Sequence, residues 1–308
     1  MPYSMRWSTV KHSLRRNLPG RISVVTGLAL AFCVILAPRV SGGDKTEGLL
    51  SVPDALTSPG KPVQLTAILV RAGMLVHSPL GGEPIEFVVD GHNVGRAMTG
   101  GDGRAFLEFT PRMRGNQTIV ARLASSPRVE SREASGTLFS WERRRPLLLV
   151  QMAALVEPAK APALPIPTVP IEGSAVTTAT PVPQAADELK RLSEYYFNVV
   201  YLVWGGEADP GSDDAVKDWL DRQHFPAGVK LRITGGAAAL NDKLDDLKGR
   251  GWDNVKAGVG RTPSFAAVLS ERRILAIIMP ASDREEAKLP RKTAVIKSWS
   301  EVRKKLQG

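Results

Sequence analysis

The hydrophobic pattern of this chain changes character near residue 145, from a strand period alone to alternating strand and helix periods, and that change sets what it can fold into. Residues 63–70, 84–89, 104–110, 117–122 and 135–141 are short runs with strand-like alternation of apolar and polar side chains. A period of two puts one face of a strand in a core and the other in water. Asp90-Gly91, Gly100-Gly101-Asp102-Gly103 and Arg114-Gly115-Asn116 separate the runs; Gly and Asn tolerate the positive φ that tight hairpins need. Five to seven strands at this spacing predict an all-β sandwich over residues 46–143. Beyond Leu147 the pattern alternates strand and helix: strands over 147–150, 198–203, 230–233, 255–257 and 274–279, helices over 185–195, 212–223, 241–250, 264–269 and 299–306. Such alternation predicts a three-layer, Rossmannoid α/β domain with a parallel sheet over residues 147–308. Seven prolines in residues 158–183 mark an extended insertion within it. Arg143-Arg144-Arg145 reads as a solvated junction between the two parts.

The first 45 residues differ from both. Arg6, Lys11, Arg15, Arg16 and Arg21 precede an apolar run over 22–37, and no acid occurs before Asp44. This is the basic then apolar order of an export leader, expected to be a signal peptide or a signal-anchor membrane helix. The run is short of the roughly 20 residues of a bilayer span, and Ser23, Thr26 and Gly27 weaken it. Pro38 spoils a cut after Ala37, whereas Val40-Ser41-Gly42 offers small residues further on, so anchor and cleaved leader both stay open. Phe32 before Cys33 is too large for a lipoprotein site. The charge bias places the N-terminus in the cytoplasm and the rest outside. The expected location is the cell envelope, anchored in the inner membrane facing the periplasm or secreted to the periplasm.

The formal charge of +10 is concentrated in the same leader, which carries +6 of it. The two later parts are nearly neutral, so a nucleic-acid partner is not expected. Cys33 is the single cysteine, which leaves the exported part without a disulfide or a thiolate metal site. His12, His77, His92 and His224 never fall at ligand spacing, so neither a metal nor a cofactor is predicted.

Two resemblances sharpen this reading. Gly82-Glu-Pro-Ile-Glu-Phe-Val-Val-Asp90, Val94-Gly95, Thr99-Gly-Gly-Asp-Gly-Arg-Ala105, Phe109-Thr-Pro111 and Gly115 together resemble bacterial immunoglobulin-like domains of surface proteins, over residues 46–141. That resemblance implies a fold and no ligand. Asn198-Val-Val-Tyr-Leu-Val-Trp-Gly205, Trp219-Leu220, Phe225-Pro-Ala-Gly228 and Val259-Gly-Arg-Thr-Pro-Ser-Phe265 resemble the haloacid-dehalogenase-type (HAD-like) phosphatases, in their lipin-like phosphatidate phosphatase branch. The resemblance implies a nucleophilic Asp and an acid/base Asp after the first strand, a hydroxyl ending the second strand and two magnesium-binding carboxylates. At those positions stand Gln151, Ala153, Val203, Arg261 and Phe265, with Leu155 where a Thr would follow. An arginine at a cation site is repulsive. The resemblance therefore implies a degenerate, catalytically inactive domain, a pseudophosphatase. Lys243 and Arg261 are candidate anion-binding residues; the alternative is that they are solvated and pair with Asp242, Asp245 and Asp246.

Other features have two readings each. Glu207, Asp209, Asp213 and Asp214 suit either a metal or a helix start at Ser212. Asp90 and Asp102 suit calcium loops or plain turns, and Tyr195-Tyr196-Phe197 with Trp204, Trp219, Trp252 and Trp299 suit a binding face or core packing. Gly205-Gly206, Gly235-Gly236 and Gly258-Val-Gly260 lack the spacing of phosphate or dinucleotide loops. The expected function is an exported envelope binding or scaffolding protein, membrane-associated through its N-terminal segment, whose partner is an unknown protein or envelope ligand. The alternative is a hydrolase with a rearranged active site.

Overall fold

The computed structural model describes residues 45–73, 78–157, 179–204, 212–279, 286 and 288–307. The leader through residue 44, most of the proline-rich insertion, and Glu207 and Asp209 lie outside the described residues. Among the described residues no helix is long and apolar enough to cross a membrane.

Nine strands come first: β1 (Thr46–Ser51), β2 (Ala55–Thr57), β3 (Val63–Arg71), β4 (Pro84–Val89), β5 (His92–Met98), β6 (Arg104–Phe109), β7 (Gly115–Leu123), β8 (Val129–Ser131) and β9 (Ala134–Ser140). They form two sheets, β6-β3-β1-β8 and β2-β9-β7-β4-β5, an immunoglobulin-like sandwich. Alternate residues meet in its core: Leu65, Ala67 and Leu69 of β3 with Ile85, Phe87 and Val89 of β4 and Ile119 and Ala121 of β7. The β4–β5 hairpin turns on Asp90 and Gly91, both at positive φ (46° and 81°), as its dipeptide predicts. The leading segment changes sheets. Antiparallel to β3 as β1, it continues parallel to β9 as β2, and Pro53 between them has no N–H to extend either ladder.

The α/β part follows: β10 (Leu147–Gln151), α1 (Ala185–Tyr195), β11 (Asn198–Trp204), α2 (Ser212–Arg222), β12 (Val229–Ile233), α3 (Ala237–Gly249), β13 (Val255–Gly260), α4 (Pro263–Glu271), β14 (Leu275–Ile278), β15 (Ala294–Val295) and α5 (Val302–Gln307). The strands run parallel in the order β12-β11-β10-β13-β14-β15. The chain starts at the centre, builds one half, then returns past β10 to build the other, so the topological switch point lies between β10 and β13. Both faces are covered. Leu148, Val150, Val199, Tyr201 and Val203 pack on one side with Leu189, Leu192, Trp219 and Trp299. Leu147, Leu149, Val200 and Leu202 pack on the other with Leu244 and Leu247 of α3 and Val268 of α4. Two-sided burial is why these strands read as unbroken apolar runs.

The sandwich joins that second face. Leu56, Phe139 and Trp141 belong to the same buried cluster, and residues 44–308 form one compact unit. Asp54 fastens the seam: its Oδ1 accepts from Thr137 N–H at 3.1 Å, and its Oδ2 accepts from Lys230 N–H at 3.1 Å and Lys230 Nζ at 2.7 Å. The two side chains are 1% and 10% exposed. The arginine run is not wholly solvated. Arg143 Nη2 donates to the Arg250 carbonyl at 2.9 Å, its guanidinium lies 5.9 Å from the centre of the Trp252 ring, and Asn254 Nδ2 donates to the carbonyls of Arg143 and Arg145.

Two outcomes follow from these contacts. Asp54→Ala strands the Lys230 ammonium in a nearly closed site, and removing one partner of a buried pair costs about 3–5 kcal/mol; urea unfolding should show a clear fall in midpoint, and an unchanged midpoint would deny the seam its fastening. On the sandwich, Glu86 accepts from Arg122 Nε at 2.6 Å, from Arg96 Nη2 at 3.3 Å and from Asn93 Nδ2. The Arg122 hydrogen bond first, against the opposing effect of burial, holds its carboxyl below the ordinary glutamate value of 4.5. A depressed carboxyl contributes stability that is complete above 4.5 and is lost as pH falls through the lower folded value. Glu86→Gln should therefore flatten the acid limb of a stability–pH curve and leave its shape near neutrality unchanged.

Candidate functional site

In an open parallel sheet the place for a ligand is the crevice at the strand C-termini beside the switch point. Here β10 ends on buried Gln151 and turns through a short 3-10 segment, Met152–Ala154. Arg261 follows the last residue of β13. Gln151 Oε1 accepts from the Arg261 backbone N–H at 2.9 Å, while Gln151 Nε2 lies 3.5 Å from Thr262 Oγ1. The Arg261 side chain crosses the crevice: Nε donates to the Ala153 carbonyl at 2.8 Å and Nη2 to the Val156 carbonyl at 3.0 Å. Gln151, Ala153 and Arg261 are thus adjacent, and a guanidinium fastened to backbone carbonyls lies between the two strand ends.

The remaining two positions lie in the two cores on opposite faces of the sheet. Val203 is buried on the α1 and α2 face of the sheet. Phe265, in the first turn of α4, is buried edge-on to Trp204, with ring centres 6.2 Å apart at 82°. The glycines of β13 make room for it. A Cβ on Gly260 would stand 2.3 Å from Phe265 Cδ1, and one on Gly258 would stand 2.8 Å from Phe265 Cζ and 2.4 Å from Leu269 Cδ1. Gly258-Val-Gly260 is therefore a packing device. Thr262 caps α4 by accepting from Phe265 N–H at 3.4 Å, and Pro263 opens the helix. Gln151 is an amide and supplies neither a nucleophile nor a proton shuttle at this pH range, and none of the five positions carries a carboxylate to hold a divalent cation.

The other candidates lie elsewhere. Lys243 is exposed on α3, away from the buried face made by Leu240, Leu244 and Leu247. Two of the acids offered as its partners are engaged differently: Asp245 pairs with both terminal nitrogens of Arg272 at 2.8 Å, and Asp246 with Arg250 at 3.1 Å. The Arg272 hydrogen bond holds the Asp245 carboxyl below its ordinary value. Helix α2 does begin at Ser212. Asp90, in the β4–β5 turn, accepts from Thr118 N–H and Gln117 Nε2 of β7, and Asp102 accepts from Arg104 N–H within its own turn. Trp219, Trp252 and Trp299 are buried in the core, whereas Tyr195 and Tyr196 are exposed. Among the described residues no three His, Cys, Asp or Glu are grouped as metal ligands. Sequence reasoning missed a cavity at the opposite sheet edge, lined by Arg114, Arg145 and Asn198 among others. Its one local signal is an Asn opening the apolar run Val199–Val203.

No family model matches the chain, and no curated protein matches it. Among solved structures it is similar to the fibronectin(III)-like modules of CbhA from Clostridium thermocellum, at 14% identity over 30% of this chain and 95% of that one, TM-score 0.22. It is also similar to the CARDB domain of a Pyrococcus furiosus protein, at 13% identity over 32% and 96%, TM-score 0.25. A family 2 glycosyl hydrolase from Bacteroides cellulosilyticus aligns over 78% of this chain but 37% of its own length, at 13% identity and TM-score 0.25. Such likenesses assign no activity to this chain.

The packing of Phe265 against β13 has a direct test. Gly260→Ala should destabilise the protein by about 1–3 kcal/mol through overpacking. In a double-mutant cycle with Phe265→Leu the combined loss should be smaller than the sum of the single losses; simple additivity would show that the ring does not occupy the space the glycine leaves.

Proposed function

We propose that this chain is an exported cell-envelope protein that binds or scaffolds, built on an immunoglobulin-like module and a HAD-like phosphatase domain without catalytic activity. One observation carries the reading: the Arg261 guanidinium is fastened to the carbonyls of Ala153 and Val156 where that resemblance implies a magnesium ion and a phosphoryl group. A cation there opposes a divalent metal, and Gln151 replaces the nucleophile with an amide. The open parallel sheet, with its first strand at the switch point, supports the HAD-like assignment. The basic and apolar leader supports export, with a membrane anchor or a cleaved signal as the two forms it takes. An immunoglobulin-like module with an otherwise nearly neutral surface suits a protein or envelope ligand better than nucleic acid.

The full chain incubated with magnesium and either phosphatidate or an aryl phosphate should release no phosphate above a protein-free control. Turnover proportional to protein concentration, and abolished in Arg261→Ala, would overturn the inactive assignment and favour rearranged chemistry at the same crevice. Export is tested separately by fusing alkaline phosphatase after residue 45: activity is expected, and an inactive fusion of normal abundance would remove the envelope assignment.

A further inference from the structure

The edge of the parallel sheet opposite Arg261, where β10 and β11 begin, borders the sandwich, and a cavity of about 480 Å³ lies there. Residues from both parts line it, including Arg114, Trp141 and Glu142 from the sandwich side and Arg145, Phe197 and Asn198 from the α/β side. Two buried donors on these residues have no partner: Arg145 Nε and Asn198 Nδ2. Asn198 is only 7% exposed, and its backbone N–H is already spent on the Pro146 carbonyl at 2.9 Å. Buried donors are almost always satisfied in folded proteins, so an orphaned pair beside one cavity calls for an acceptor.

The charges around the cavity ask for the same thing. Arg145 gives one terminal nitrogen to the Ser193 carbonyl at the end of α1. Arg114 binds Glu142 at 2.9 Å, with both side chains largely exposed. Two guanidinium groups therefore face one carboxylate. Burial first, and then the charge of Arg114, make the Arg145 cation harder to hold than an ordinary arginine. An anion between them relieves both effects. The apolar wall comes from Trp141, whose indole N–H is already taken by Asn116 Oδ1 at 2.9 Å, and from Phe197.

We propose that this cavity binds a small organic oxyanion, whose carboxylate or phosphate group is held by Arg145, Asn198 and Arg114 and whose apolar body lies against Trp141 and Phe197. The site stands at the far edge of the sheet from Gln151 and Arg261, so it is independent of whether that crevice is inactive and of where the protein resides. Its volume falls within the range of small-molecule pockets, roughly 300–1,000 Å³, which is more room than an inorganic ion needs.

Thermal unfolding of the full chain tests this, with benzoate and phenyl phosphate as probes against sodium chloride at equal ionic strength. At least one probe should raise Tm saturably, by about 3 °C or more at tenfold its Kd. A response to benzoate alone assigns the carboxylate, and a response to phenyl phosphate alone assigns the phosphate. Asn198→Asp sets a carboxylate of nearly the same shape beside Arg145, and should keep or raise the unliganded Tm while weakening the probe at least tenfold. Arg114→Gln, at an exposed side chain, should weaken it about tenfold with little change in unliganded Tm. The absence of a saturable rise with either probe overturns the proposal and leaves the cavity to water, as does equal affinity in wild type and both variants. Should Asn198→Asp fail to fold, unchanged affinity in Arg114→Gln alone overturns it.

Discussion

The carboxylate of Asp54 is the point on which the arrangement of the two layers rests. It sits just after the proline that interrupts the leading strand, and it binds an N–H of β9 in the sandwich together with an N–H and an ammonium of β12 in the parallel sheet. Desolvating a charge pair is expensive, and such a pair is tolerated only where further hydrogen bonds satisfy the remaining lone pairs; here two backbone donors do so. The same geometry explains why the leading segment must change sheets. Had β1 continued beside β3, Asp54 would not reach β12, and the short β2 would not cover the β9 edge, which otherwise presents unpaired backbone groups.

Around that tie the apolar packing is continuous. Phe139 and Trp141 meet edge-on, with ring centres 4.8 Å apart, and belong to the cluster that holds Leu149, Leu202 and Trp252. A helix pair would normally complete that face of a three-layer fold. In this chain the sandwich edge shares the task with α3 and α4. The change of hydrophobic period near residue 145 therefore marks a change of secondary structure and not the end of a core. A seam made this way has corners where neither layer's side chains fill space, and the cavity beside Asn198 is one of them.

Much of the fold was legible because it rests on local pattern. The helix expected over 185–195 is α1, and the expected strands over 84–89 and 198–203 are β4 and the body of β11. Strands β2, β8 and β15 escaped because two or three residues cannot display a period. Strand β5 escaped for another reason: His92-Asn-Val-Gly-Arg-Ala-Met98 faces water along most of its length and is held by its hairpin partner β4. Helix α3 begins at Ala237, four residues before the expected start, because the alanines ahead of Asn241 carry little amphipathic signal yet favour helix. At the crevice, Gln151, Ala153 and Arg261 are singled out through a resemblance, but the partners of Arg261 are backbone carbonyls more than a hundred residues away, which no local pattern encodes.

The crevice residues also constrain one another. Phe265 requires glycine at both Gly258 and Gly260, since any side chain there meets its ring or Leu269. Gly260 in turn lets the Gln151 side chain approach β13, because a Cβ at that position would stand 2.9 Å from Gln151 Oε1. Gln151 then accepts the Arg261 N–H, and the Arg261 side chain ties β13 to the segment after β10. Each residue thus depends on the next through steric fit or a hydrogen bond. A Gln151→Asp substitution would place a carboxylate beside the Arg261 cation, where pairing between the two is favoured over capture of a divalent metal.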